Sequence, residues 1–126
     1  MKKLSLVICV WNEEPNIKPL SDQIKRALNG YDFEAIFVDD GSTDNTRGEI
    51  KKINDERFLL VELKRNYGQS SALQAGIDQA EGEFIALIDG DLQNDPNDLP
   101  MMLKLMEDEE WDMVAGVRAN RKDGMF

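Results

Sequence analysis

The chain has 126 residues, a length that fits one domain with a single hydrophobic core. Hydrophobic residues make up 41% and charged residues 32%, as in ordinary globular proteins, and the net charge of −10 argues against a nucleic-acid-binding surface, which needs a basic face. The chain has no His, which excludes a His-dependent triad and a His-rich zinc site. Its single Cys cannot form an internal disulfide, so a reducing, cytoplasmic setting is the simplest interpretation.

Apolar runs and apolar residues at helical spacing alternate along the chain. In chain order they predict a strand at 4–11, a helix from Asn12 to Leu28, a strand at 33–38, a helix carrying Ile50 and Ile53, a strand at 58–63, a helix from Ser70 or Ser71 to Ala80, a strand at 84–88, a helix at 97–110 and a strand at 113–117. Asn12 is the predicted cap of the first helix, and Ser42, Thr43 or Asp44 caps the second.

Strands that alternate with helices predict βαβ units with right-handed crossovers. The expected fold is α/β, a mainly parallel sheet with helices on both faces in three layers. Ligands of such sheets bind beyond the carboxyl ends of the strands. The polar residues that follow the predicted strands therefore converge on one edge: Trp11-Asn12-Glu13, Asp39-Asp40, Lys64-Arg65-Asn66, Asp89-Gly90-Asp91 and Arg118.

The segment Asp89-Gly90-Asp91 is the strongest candidate site. In extended backbone, side chains at i and i+2 point the same way, so Asp89 and Asp91 can present two carboxylates to one point. Gly90 lets the backbone turn between them. Paired carboxylates repel unless a cation or proton lies between them, and hard oxygen ligands suit Mg²⁺ or Mn²⁺. We expect a metal site that grips a diphosphate.

Other polar residues at this edge allow two interpretations. Asp40 can accept hydrogen bonds from a base or a ribose hydroxyl, whereas Asp39 can instead be structural, buried against the amides of its turn. Arg65 can meet a phosphate or be a solvated loop charge. Arg118 and Arg121 can contact phosphates or balance the acidic surface, and Cys9 on its own pattern is a packing residue.

Four segments together resemble the N-terminal half of the family 2 glycosyltransferases, which have the GT-A fold, a Rossmann-like nucleotide-binding sheet. They read LVICVWNEEPNI, FVDDGSTDNT, LKRNYGQSSALQAGIDQAEGEFIALIDGDLQNDP and VAGVR, and they span nearly the whole chain. The resemblance is greatest to the branch that moves a sugar from a nucleotide onto dolichyl or undecaprenyl phosphate.

The resemblance assigns roles to individual residues. Cys9, Trp11 and Glu13 match positions that hold the nucleotide base and ribose, and Val38 and Asp40 match a base-contacting pair. Asp89 and Asp91 match the D-x-D motif that binds the divalent cation and the diphosphate, and Gln93, a further candidate metal ligand, matches a position that assists in the polyprenyl-phosphate branch. Arg118, which follows the last predicted strand, is a further candidate contact to the nucleotide. Three positions depart from the common pattern: Cys9 replaces Pro, Trp11 replaces Tyr and Gly90 replaces Ala.

The implied activity is metal-dependent, inverting transfer of a sugar from a UDP- or GDP-sugar to an acceptor, with polyprenyl phosphate favoured over a glycan. A lipid phosphate is already anionic and can attack without a general base. Residues 1–126 would be one GT-A-type domain, truncated at its C-terminal end, that binds nucleotide and metal yet transfers little or no sugar alone. Membrane contact, at the cytoplasmic face, would come through parts absent here.

Three alternatives stay open at this stage. A haloacid-dehalogenase-like phosphatase also places a D-x-D after a strand, but after the first strand. A receiver domain shares the length and the alternating sheet, but needs its acidic pair after strand one, where Trp11-Asn12-Glu13 stands. A nucleotide-binding module without catalysis is the third.

Overall fold

The computed structural model describes residues 4–89, 97, 99–101, 104 and 113–114. In this part of the chain, strands and helices alternate in the predicted order. The strands are β1 (Leu4–Val10), β2 (Phe33–Asp39), β3 (Phe58–Glu62), β4 (Phe84–Asp89) and β5 (Met113–Val114). The helices are α1 (Glu14–Ala27), α2 (Thr46–Lys51) and α3 (Gln69–Gln79), and residues 99–101 and 104 are also helical.

The described strands form one sheet in which every neighbouring pair is parallel, in the order β3-β2-β1-β4-β5. The chain moves outward from β1 to β3 and then returns across the sheet to β4, on the other side of β1. The carboxyl ends of β1 and β4 therefore meet at the topological switch point, where open α/β sheets bind their ligands. Receiver domains have the flavodoxin-like strand order 2-1-3-4-5, so the observed order excludes that alternative.

The core has two parts, one on each face of the sheet. Alternate residues of a strand point to opposite faces. Leu6 and Phe37 belong to the larger cluster, which contains the buried apolar residues of α1 and Ile50 of α2. Val7 and Val38 belong to the smaller cluster, which α3 covers through Ala72. This confirms the predicted three-layer α/β fold.

Helix α3 approaches the sheet closely because it carries Gly76 at the contact. A Cβ added at Gly76 would lie 2.4 Å from Cγ1 of Val7 and 2.9 Å from Cγ2 of Val38. Both distances are shorter than real Cβ contacts allow. The absence of a side chain at this position thus sets how near α3 lies to β1 and β2.

The predicted helix caps are wrong in three places. Helix α1 has Glu13 at its N-cap instead of Asn12, and α2 has Asn45, with no side-chain cap bond in either helix. Helix α3 is preceded by Gly68, and Ser70 and Ser71 lie inside it. Asn12 binds the loop after β2 instead. Asp44 lies one residue before the N-cap of α2 and accepts the amides of Glu14 and Thr46, the first residues of α1 and α2.

Part of the predicted C-terminal region lies outside the described residues. The predicted helix at 97–110 is described as helical at 99–101 and 104, and the predicted strand at 113–117 is described at Met113–Val114. Leu99 is buried in the larger core cluster. Among the described residues, no helix combines the length and apolar character needed to cross a membrane.

Candidate functional site

Three of the predicted site residues lie in one row across the centre of the sheet. Cys9 of β1 is in register with Val38 of β2 on one side and with Asp89 of β4 on the other. Val38 is buried and Cys9 is partly buried, both on the α3 side of the sheet. Since Asp89 is the last residue of β4, the row lies at the carboxyl edge, at the switch point.

The loop after β1 is bound to the loop after β2 through Asn12. Its amide donates to Oγ of Ser42 at 2.8 Å, and its Oδ1 accepts the amides of Thr43 at 2.8 Å and Asp44 at 3.3 Å. Asn12 has φ of 53°, a left-handed conformation that Asn adopts more readily than most residues. A residue predicted to cap a helix therefore holds two loops together.

Asp44 continues this connection toward both helices. Its carboxylate accepts the amide of Glu14 at 3.3 Å, the amide of Thr46 at 3.0 Å and the Thr46 hydroxyl. The Glu14 carboxylate in turn accepts the amide of Asn45 at 3.0 Å. Burial by itself would raise the pKa of the Asp44 carboxyl, but the hydrogen bonds from Thr46 and Glu14 outweigh it and lower that pKa. The carboxylate is therefore charged at neutral pH.

Asp39 has no exposed surface and serves the loops around it. Its carboxylate accepts the amide of Ser42 at 3.1 Å, the Ser42 hydroxyl, and Nε of Arg47 at 2.5 Å. Arg47 also donates through Nη2 to the carbonyl of Leu63 at 2.5 Å, and its Nη1 lies 3.4 Å from Glu62. Of the two interpretations of Asp39, the structural one fits this environment, because Ser42 closes the turn after β2 and Arg47 holds the ends of β2 and β3 to α2.

Asp40 lies beside the end of β1 and is 6% exposed. Its amide donates to the carbonyl of Val10 at 2.9 Å. Its carboxylate oxygens accept the amides of Tyr67 at 2.8 Å and Gly68 at 3.0 Å. A carboxylate has about four lone-pair positions, so these two bonds leave acceptor capacity for a ligand. The predicted contact of Asp40 with a base stays a prediction.

Trp11 and Glu13 differ in their surroundings. Trp11 is 49% exposed, an unusual state for the largest apolar side chain. The amide of Glu13 donates to the Thr46 hydroxyl at 2.9 Å, and its Oε1 accepts Nδ2 of Asn16 at 2.8 Å. Trp11 is thus available for contact with a solute, while Glu13 is also held by its own helix.

The remaining predicted site residues lie outside the described part of the chain. These are Gly90, Asp91, Gln93 and Arg118, and for Asp89 the structure describes the backbone alone. Within the described residues, no group of three or more acidic, Cys or His side chains is arranged to hold a metal ion. The metal ligands therefore stay a prediction.

Sequence reasoning missed the ion pair of Arg47 and the hydrogen bond from the Tyr67 amide to Asp40. Arg47 lies in the first turn of α2, where the helix dipole disfavours a cation. A basic residue in that position indicates a nearby acidic partner, which is Asp39. Tyr67 is 49% exposed in a loop that the sequence describes only as polar, and no local pattern distinguishes it.

A sequence profile described as "Glycosyl transferase family 2" matches residues 5–126. The chain is 48% identical over 129 residues to a dodecaprenyl-phosphate galacturonate synthase of Rhizobium johnstonii, covering 98% of this chain and 38% of the relative. It is 40% identical over 131 residues to an undecaprenyl-phosphate 4-deoxy-4-formamido-L-arabinose transferase of Yersinia pestis, covering 100% of this chain and 40% of the relative. The chain thus spans about two fifths of the length of these curated relatives.

Two solved structures have folds similar to that of this chain. S. aureus TarS residues 1–349 in complex with UDP-GlcNAc has a TM-score of 0.73 at 26% identity, covering 86% of this chain and 32% of that one. The mannosyltransferase PcManGT from Pyrobaculum calidifontis, in complex with GDP-Man and Mn²⁺, has a TM-score of 0.65 at 25% identity, covering 71% of this chain and 28% of that one. With its strand order, the row at its switch point and a family profile that matches nearly its whole length, this chain belongs to glycosyl transferase family 2.

Proposed function

We propose that this chain binds a nucleoside-diphosphate sugar at the carboxyl edge of its sheet, as the donor-binding part of a polyprenyl-phosphate sugar transferase. The observation that carries the proposal is the register of Cys9 with both Val38 and Asp89. It brings the residues assigned to the base next to the first residue assigned to the diphosphate. A donor can therefore lie across the ends of β2, β1 and β4.

Asp89 and Asp91, assisted by Gln93, would hold a divalent cation. Carboxylate and amide oxygens are hard ligands that suit Mg²⁺ or Mn²⁺, and Asp89 ends its strand at the ligand-binding edge, so the residues fit the ion. The solved PcManGT complex contains Mn²⁺ with GDP-Man, which supports the same class of metal here. When bound, such a cation neutralises charge on the departing nucleoside diphosphate.

The described residues would bind and orient the nucleotide. Trp11, with half of its surface exposed, offers an aromatic face to a base. Cys9 and Val38 would contact the base too, Val38 through its backbone because its side chain has no exposed surface. The free lone pairs of Asp40 can accept a hydrogen bond from a base or ribose. Glu13 and Arg118 are the further nucleotide contacts that we propose.

The proposed reaction moves the sugar to an anionic lipid. A phosphate oxygen of polyprenyl phosphate attacks the anomeric carbon, and the bond from that carbon to the nucleoside diphosphate breaks with inversion. Because the attacking oxygen is already ionised, this step needs no general base. The names of both curated relatives specify a polyprenyl-phosphate substrate. We place the whole enzyme at the cytoplasmic face of a membrane.

Calorimetry with UDP and GDP, with Mn²⁺ and with chelator, tests donor binding. We expect one of the two nucleotides to bind only with metal, and Asp91→Ala to abolish that binding while the thermal unfolding temperature is unchanged. Asp78→Ala is the matched control, because Asp78 is an exposed acid on α3 that accepts a bond from Gln74. Equal binding with chelator present would contradict the metal-dependent site.

Sugar transfer is a separate measurement. The chain is incubated with a labelled UDP-sugar and undecaprenyl phosphate, and lipid-linked label is counted. We expect metal-dependent nucleotide binding with little or no transfer, because the acceptor side of the enzyme would be contributed by the part of the relatives that this chain does not match. Rapid transfer by these 126 residues would show that the donor half suffices.

A further inference from the structure

The loop between β3 and α3, residues 63–68, is bound to the carboxyl edge by Asp40. Both oxygens of this nearly buried carboxylate accept loop amides, from Tyr67 at 2.8 Å and from Gly68 at 3.0 Å. The loop also lies directly against Gly41, where an added Cβ would be 2.4 Å from the backbone carbonyl carbon of Arg65. The position of Tyr67 is therefore determined by β2 and not by the loop alone.

The side chain of Tyr67 is half exposed and contacts one neighbouring cation. The ring is 49% exposed. The guanidinium carbon of Arg65 lies 5.1 Å from the ring centroid, within the range of a cation–π contact. The backbone hydrogen bond and the ring contact both restrict Tyr67, which lowers the entropy that it would lose when a ligand stacks on it.

Tyr67 and Trp11 are both linked to Asp40. The Asp40 amide binds the carbonyl of Val10, the residue before Trp11, and the Asp40 carboxylate binds the Tyr67 amide. Two half-exposed aromatic residues thus flank one acid at the edge proposed for the donor. Aromatic rings at a nucleotide site stack on bases and tolerate different bases, because every base has a π-face.

We propose that Tyr67 contacts the base of the donor nucleotide and that Asp40 is a positioning residue that holds Tyr67 there. This inference rests on the proposed function and assigns to the β3–α3 loop a share in base recognition. Asp40 acts mainly through its two bonds to the loop, in addition to any direct contact with the base. The cation–π contact of Arg65 with the ring leaves the other face of the ring for a ligand.

The test compares a ligand that has a base with one that does not. Calorimetry in Mn²⁺ measures the dissociation constants of UDP, GDP and pyrophosphate for the unmodified chain and for Tyr67→Ala, Tyr67→Phe and Tyr31→Ala. Tyr31 is the matched control, because it is 39% exposed and precedes β2 at the opposite edge of the sheet. Thermal unfolding confirms that each variant is folded.

We expect Tyr67→Ala to weaken binding of the preferred nucleotide about fivefold or more, the range of one stacked base. Tyr67→Phe should retain affinity, and pyrophosphate should bind all variants equally. Unchanged nucleotide binding by Tyr67→Ala, or an equal loss for pyrophosphate, would overturn the inference. If the unmodified chain binds neither UDP nor GDP, the proposed function fails first and this inference with it.

A double-mutant cycle tests the positioning role of Asp40. If Asp40 acts in part through Tyr67, the loss of nucleotide affinity in the double variant Asp40→Asn/Tyr67→Ala should be smaller than the sum of the two single losses. Additive losses would show that Asp40 acts by an independent contact and would overturn this part of the proposal. Should Asp40→Asn fail to fold, Asp40→Ser, whose hydroxyl oxygen can still accept one of the two loop amides, replaces it in the same cycle.

Discussion

Replacement of Arg47 by Met tests whether the ion pair with Asp39 stabilises the carboxyl edge. Asp39 has no exposed surface, so loss of its partner leaves a buried carboxylate without a counter-charge. Breaking a buried pair costs about 3–5 kcal/mol. Here the side chain of Arg47 is 32% exposed, and Asp39 keeps the amide and hydroxyl of Ser42. We therefore expect the free energy of unfolding to fall by the smaller amount of about 2–3 kcal/mol.

Thermal unfolding followed by circular dichroism measures the effect. For a chain of this length, an unfolding entropy of about 2.1 cal/mol/K per residue converts the loss into a decrease of about 8–11 °C. Arg26→Met is the control, because Arg26 is an exposed residue of α1, and it should change the unfolding temperature by less than about 2 °C. Adding Asp39→Asn to Arg47→Met should recover part of the loss, since the charge is then gone. Equal unfolding temperatures for Arg47→Met and Arg26→Met would refute the reasoning.

Three further substitutions have directions that the structure determines. Gly76→Ala should lower the unfolding free energy in urea titrations, because the added Cβ would lie 2.4 Å from Cγ1 of Val7. This clash should outweigh the higher helix propensity of Ala. A gain in stability would show that α3 can shift away from the sheet. Gly41→Ala should lower the unfolding temperature, since Gly41 has φ of 77° and an added Cβ would lie 2.4 Å from the backbone of Arg65. An unchanged unfolding temperature would show that Ala causes no backbone strain at this position. The Arg57 side-chain hydrogen bond lowers the pKa of Asp55 from 3.8 to about 2. Ionised Asp55 therefore stabilises the fold above pH 3.8, and this stabilisation is lost as the pH falls through about 2. In urea titrations, the difference in unfolding free energy between the unmodified chain and Asp55→Asn should shrink over that pH range and stay constant above it.

The strands could be predicted because their signal is local. The buried runs of β1, β2 and β4 contain successive apolar residues, which a strand needs when helices cover both of its faces. Their alternation with helices specifies the parallel sheet and its ligand-binding edge. The family resemblance, confirmed by the profile match over residues 5–126, rests on the same order of segments.

The loops could not be predicted in the same way. Asn12 has the sequence context of a helix cap, yet it accepts amides of residues more than thirty positions away. Asp39 and Asp40 are adjacent acids of the same type, yet one binds Arg47 and the other binds the loop before α3. Such choices depend on which loops the strand order brings together.

The amino-acid sequence by itself determined the layered α/β fold, the edge of the sheet where polar residues gather and the resemblance to the family, because apolar periodicity and segment order are written along the chain. Only the tertiary structure decided that Asp39 is a buried structural acid, that Arg47 neutralises it and that Asp40 holds Tyr67 beside the end of β1. The physical reason is that hydrogen bonds and ion pairs form between groups that are near in space, and the strand order β3-β2-β1 places side by side loops that are far apart in sequence.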